Sequence, residues 1–189
     1  MSGNLDRLSE DWKSIDSIIL YGAGIVSKIC QHLFEKVDVK VLLVIDGDEN
    51  KQGKDWNGIP IVSFEDARKR IGKQKIVIMT AHTAYNEISQ FLCKQGMKEF
   101  RDFCSIGQFI CEWFWNVKEM NCLYHVDMTI TTRCTFRCKH CNMFIPYYKE
   151  QRDCTFEELK TNVDLLFSRM DYIVYFALLL SLIHISEPT

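Results

Sequence analysis

The chain has 189 residues, 47% of them hydrophobic and 25% charged, with a formal net charge of −2. That length allows one or two domains with a sizeable core, and the near-neutral balance offers no basic field for nucleic acid or anionic lipid. The opening MSGNLDRLSEDWKS is polar, unlike the basic-then-apolar start of a signal peptide, so the nine cysteines are expected to be reduced thiols in the cytoplasm.

The first half alternates strand and helix patterns. Ser17–Tyr21 is a short apolar run ending in Gly22-Ala23-Gly24, and Ile25–Phe34 follows with Ile25, Ile29, Leu33 and Phe34 at helical spacing. Val39–Ile45 is a second buried strand, closed by Asp46 and the loop GDENKQGKDWNG. Ile59–Val62 and Ile76–Thr80 read as strands, Phe64–Ile71 and Ala84–Lys94 as helices, and a last short strand is expected around Glu99–Phe103. Continuous apolar strands alternating with helices predict an α/β fold with a parallel sheet, a Rossmann-like domain over residues 1–108.

Gln108–Met120 predicts a connecting helix (domain boundaries 109–122), with Phe109, Ile110, Trp113, Phe114 and Val117 on one face and Glu112 elsewhere. Such an aromatic stripe belongs to core or a domain interface. Tyr124–Thr131 reads as a strand and Cys134–Cys141 as a loop. Phe156–Met170 is an amphipathic helix with Leu159, Val163, Leu166 and Phe167 inward, and Tyr172–Leu179 is the next strand. Residues 123–179 thus form a strand–loop–helix–strand unit that opens a second α/β domain. The apolar run Tyr172–Ile185 falls short of the roughly 20 residues a bilayer span needs, so no membrane span is expected.

Residues 133–141 read RCTFRCKHC, placing Cys134, Cys138 and Cys141 at C-x3-C-x2-C spacing just after a strand. A structural zinc site uses four ligands, usually in two pairs, and the fourth here would be His140, Cys154 or His125. A ferredoxin-type cluster also uses four cysteines. Three thiolates suit a cubane that leaves one iron without a protein ligand, open to a substrate or cofactor. Arg133, Arg137 and Lys139 interleave with the thiols, favourable beside an anionic cluster. The other six cysteines, Cys30, Cys93, Cys104, Cys111, Cys122 and Cys154, are scattered and read as small buried hydrophobes.

TTRCTFRCKHCN closely resembles the signature of the radical S-adenosylmethionine (radical SAM) enzymes, C-x3-C-x-Φ-C with Φ usually aromatic. The resemblance implies that residues 123–179 begin a (β/α) partial barrel and that Cys134, Cys138 and Cys141 hold a 4Fe–4S cluster. S-adenosyl-L-methionine would chelate the fourth iron, and His140, at the Φ position, would support its adenine. An external one-electron reductant such as flavodoxin or ferredoxin would drive its cleavage to a 5′-deoxyadenosyl radical. That radical takes a hydrogen from a small-molecule or peptide substrate, a sugar among the candidates. An iron–sulfur electron-transfer module, a zinc-stabilised binding module using Cys154 or His140, and a nucleotide-sugar-binding protein remain alternatives.

In that family the second barrel strand ends in a Gly-Gly-Glu-like motif, where this chain has Leu180-Ser181-Leu182. The tail 180–189, LSLIHISEPT, is the in-frame translation of CTGTCTCTTATACACATCTCCGAGCCCACG, which looks like a transposon-derived sequencing adapter. Native sequence is therefore expected to end near Leu179, with the parent continuing as Gly-Gly-Glu, and the fragment itself is expected to be inactive.

Gly22-Ala23-Gly24-Ile25-Val26-Ser27 is a partial dinucleotide fingerprint, and Asp46 closes the second strand where a ribose-binding acid can sit. Gly22, Gly24 and Asp46 are therefore the candidates for a nucleotide or nucleotide sugar, and Thr80, His82 and Tyr85 can face the same crevice. The stretch VIDGDENKQGKDWNGIPIVSFED also resembles the Rossmann-like module at the front of bacterial polysaccharide- and sugar-modifying enzymes.

Overall fold

The computed structural model describes residues 7–72, 74–134, 138–141 and 145–179, so the tail 180–189 lies outside the described residues. The chain is α/β. Its elements are β1 (Ser17–Tyr21), α1 (Ile25–Ile29), α2 (Gln31–Lys36), β2 (Lys40–Ile45), β3 (Asp55–Trp56), β4 (Ile59–Val62), α3 (Phe64–Arg68), β5 (Lys75–Ile78), α4 (His82–Lys94) and β6 (Phe103–Ser105). There follow α5 (Ile106–Gln108), a π-helical stretch Phe109–Phe114, α6 (Trp115–Lys118), β7 (Cys122–Thr129), α7 (Phe156–Arg169) and β8 (Tyr172–Leu179).

The first sheet has the order β3-β4-β2-β1-β5-β6, parallel except for the β3–β4 pair. Its central strands β1 and β5 are buried along nearly their whole length, as their unbroken apolar runs require. The chain leaves β1 toward β2 on one side and returns to β5 on the other, which opens a crevice at the carboxyl ends of β1 and β5. Within the stretch expected to be loop, Asn57 (φ 53°) and Gly58 (φ 79°) turn β3 back onto β4. Two left-handed residues between paired strands make the hairpin turn that Asn-Gly favours.

Several stretches depart from the periodicity reading. The last strand of the first sheet, expected around Glu99–Phe103, lies at Phe103–Ser105, and Glu99 makes only an isolated bridge to Phe103. The expected helix Ile25–Phe34 is broken at Cys30, and its inward residues are Ser27, Cys30, Leu33 and Phe34, while Ile25 stays 71% exposed. Ser27 is held inside because its hydroxyl donates to the carbonyl of Gly22. Glu112, expected off the aromatic face, is buried, since its carboxylate accepts from the amides of Arg7 (2.7 Å) and Leu8 (3.0 Å). Phe109, Ile110, Trp113 and Phe114 pack with Trp12, Phe34 and Leu33 in one core, and the Trp113 indole donates to the carbonyl of Trp12 at 2.7 Å.

β7 and β8 pair in parallel from Cys122↔Tyr172 to Thr129↔Leu179, with α7 as the crossover. Cys122, Tyr124, Tyr172 and Val174 join the core of the first sheet, so the second sheet is seated on the first unit. A capping box between Thr155 and Glu158 starts α7. Phe167, expected inward, is 52% exposed although its ring meets Phe176 edge-on, because a two-stranded sheet covers only part of the helix face. Among the described residues no helix is long and apolar enough to cross a membrane.

Candidate functional site

Two places carry the residues singled out by sequence. The first is the crevice at the ends of β1, β2 and β5, a cavity of about 300 Å³ lined by Gly22, Gly24, Asp46, Lys51 and Thr80 among others. Backbone bonds from Gly22 N to Ile45 O and from Met79 N to Tyr21 O, both 2.7 Å, knit the three strand ends together. Gly22 has φ +111°, and a Cβ there would lie 3.0 Å from Thr80 Cγ2 and 3.1 Å from the Met79 carbonyl. Its glycine is therefore demanded by backbone and packing. Gly24 is different, because a Cβ there would meet nothing within 4 Å.

Asp46 is engaged by the chain itself. Its Oδ2 accepts from Ala23 N (2.7 Å) and Lys51 Nζ (3.0 Å), and its Oδ1 accepts from Asp48 N (2.9 Å). Burial works to raise this carboxyl's pKa, but the amides of Asp48 and Ala23 and the Lys51 ammonium outweigh it and hold it below the ordinary value. Thr80 Oγ1 is buried in the crevice wall without a hydrogen-bond partner among the described residues, and the His82 side chain expected beside it lies outside them. Tyr85 turns away and donates to Glu99.

The second place is the cysteine loop. Cys134 follows the end of β7; Cys134 and Cys141 are half-buried, and Cys138 is exposed. All three are free thiols, and His140 beside them is exposed. Residues 135–137 and 142–144, with Arg137 among them, lie outside the described residues. Among the described residues no three His, Cys, Asp or Glu side chains come together closely enough to hold a metal ion.

The base of this loop is tied shut by contacts no local pattern announces. Thr132 N donates to Arg152 O (2.8 Å), Arg152 N to Thr132 Oγ1 (2.7 Å), and Cys154 N to Ile130 O (2.8 Å). Thr131, 6% exposed, donates its hydroxyl to Asp153 Oδ1 (2.7 Å) and accepts from Arg133 N (3.0 Å), while Arg133 Nε donates to Asp153 Oδ2 (2.6 Å). Arg152 also pairs with Glu158 of the capping box. A cavity of about 530 Å³ lies between this base and the first turns of α7, lined by Thr129, Thr131, Arg152, Cys154 and Glu158 among others. The run Thr-Thr-Arg before the first cysteine was the one visible hint.

The scattered cysteines divide. Cys30, Cys104 and Cys122 are buried, with burial pushing Cys30 up to about 12 and Cys122 up to about 11, so these thiols stay protonated. Cys93 and Cys111 are exposed and Cys154 is half-buried, which departs from the expectation that all six are interior.

Residues 14–101 match the family model described as C2185-like, N-terminal. The match covers most of the first sheet and stops short of the cysteine loop. No curated protein matches the chain.

Proposed function

We propose that this chain carries the cluster-binding unit of a radical SAM enzyme, with Cys134, Cys138 and Cys141 as ligands of a 4Fe–4S centre. The observation that carries the reading is position. Three thiols at C-x3-C-x2-C spacing follow the carboxyl end of β7, which pairs in parallel with β8 through a helical crossover. In α/β folds ligands gather at that end of the strands. The donor set also fits, since three soft thiol ligands, all at least partly accessible, suit iron–sulfur chemistry. When bound, the centre would supply the single electron that cleaves S-adenosyl-L-methionine. The chain's part is to present the thiolates, to set Lys139 and Arg133 beside their negative charge, and to offer the His140 ring as a face for the adenine. The substrate, a small molecule or peptide, and the external one-electron reductant would come from outside the residues described.

Anaerobic reconstitution with iron and sulfide tests this. Cys134→Ala, Cys138→Ala and Cys141→Ala should each abolish stable iron binding, whereas Cys154→Ala should keep it, because Cys154 serves the loop's base through its backbone amide. Adding S-adenosyl-L-methionine should change the electron paramagnetic resonance signal of the reduced centre. Iron loss in Cys154→Ala equal to the other three would point instead to a closed four-ligand site.

A specific observation favours a second activity at the front crevice. Gly24 faces open space, and the buried hydroxyl of Thr80 in the same wall has no hydrogen-bond partner among the described residues. This supports binding of a nucleotide or nucleotide sugar there. Gly24→Val should abolish it without unfolding the chain; calorimetry with NAD and UDP-glucose that finds no heat in the wild type would leave the domain a scaffold.

A further inference from the structure

We infer that Thr131 and Asp153 are positioning residues for Cys134, fixing the backbone just before the first thiol and so setting how firmly the loop holds its metal centre. The inference rests on the iron–sulfur reading of the loop. Thr131 is almost wholly buried, and its single hydroxyl both donates to Asp153 Oδ1 (2.7 Å) and accepts from Arg133 N (3.0 Å). The amide so held belongs to the residue directly before Cys134. Asp153 spends its other oxygen on Arg133 Nε at 2.6 Å, so both the backbone and the side chain of Arg133 are fixed.

The two strands of the clasp lie at opposite ends of the segment that carries every thiol of the motif. An open segment of that length would leave the thiols to find one another against chain entropy, and tying its ends removes part of that cost. The clasp continues outward through the antiparallel bridge Thr131↔Asp153, the paired bonds between Thr132 and Arg152, and the contact of Arg152 with Glu158 on α7. The first cysteine is therefore referenced to both β7 and α7, two regular elements, rather than to the loop alone. Outer partners of this kind orient metal ligands, and their loss typically weakens metal affinity about 10- to 100-fold.

A purely structural clasp predicts something else: a lower melting temperature with unchanged metal retention in the molecules that remain folded. The experiment uses the whole chain, reconstituted anaerobically with ferrous iron and sulfide, desalted, and challenged with EDTA while iron release is followed. Thr131→Val removes the hydroxyl at nearly constant shape and Asp153→Ala removes the hub; both should retain iron about 10- to 100-fold less well than wild type. Thr131→Ser, which keeps the hydroxyl, should restore retention. If Asp153→Ala does not fold, Asp153→Asn takes its place, keeping one acceptor for Thr131 and losing the charge facing Arg133. Equal retention in wild type, Thr131→Val and the Asp153 variant, with none in Cys134→Ala, overturns the positioning role and leaves the iron–sulfur reading intact. A wild type that holds no more iron than Cys134→Ala overturns both.

Discussion

Asp46 shows how a single carboxylate organises the front crevice. It holds Ala23 of the glycine turn, Asp48 of the following loop and the ammonium of Lys51 at once. Asp46→Ala strands two amides and a cation, and the cost at neutral pH should be about 1–3 kcal/mol. Because the folded carboxyl titrates below its unfolded value, its contribution is fully present above the unfolded pKa and is lost as the pH falls through the folded one. The gap in urea midpoint between wild type and Asp46→Ala should therefore be wide at neutral pH and should close as the pH falls below the ordinary carboxyl value of about 4. A gap that persists in acid would mean that the loop is held by something other than this charge. Glu112 plays a comparable part at the back of the sheet, tying the N-terminal segment by two amides.

At the scale of elements, local chemistry accounts for most of what forms. The Ser63 hydroxyl accepts from Asp66 N to start α3, and Thr155 with Glu158 starts α7. The turn at Asn57-Gly58 was legible in principle, since Asn-Gly is a strong short-range hairpin signal; the surrounding polar residues masked it. The break between α1 and α2 was not legible. Cys30 sits fully buried at the junction, and the inward face is chosen by the bond from Ser27 to Gly22 rather than by the spacing of isoleucines. On β7, His125 and Asp127 lie on the face away from the shared core and bond at 2.6 Å, with the His125 ring edge-on to Tyr175. Period-two alternation places both on one face, but the pairing with Tyr175 depends on the register of β8.

For the molecule as a whole, the helical segment after β6 decides where the first unit ends. Phe109, Ile110, Trp113 and Phe114 are each at most 2% exposed, and each contributes about 1.5–3 kcal/mol by burial. That sum is comparable with the whole stability of a domain, about 5–15 kcal/mol. A fragment ending at residue 108 should therefore show no cooperative thermal transition by circular dichroism, whereas one ending at residue 118 should melt cooperatively. Equal melting of the two would show that the aromatic helix is a removable appendage. The second sheet contrasts with the first: two parallel strands with one helix leave Phe156, Leu165, Phe167 and Leu178 exposed, although parallel sheets are generally covered on both faces.

The sequence by itself determined the alternation of strands and helices, the glycine turn after β1 and the spacing of the three cysteines. Each of these is set by residues a few positions apart, through backbone preference and the period of apolar side chains. Only the tertiary structure decided that Asp46 is turned inward on Ala23 and Lys51, that Glu112 is interior, and that Thr131 and Asp153 close the cysteine loop. Except for Asp46 and Lys51, which are neighbours on one loop, these pairs join residues well separated along the chain, as far apart as 105 positions for Arg7 and Glu112. A polar residue reads as exposed until a distant donor is brought to it, and that meeting is settled by the packing of the sheet and the closure of its loops.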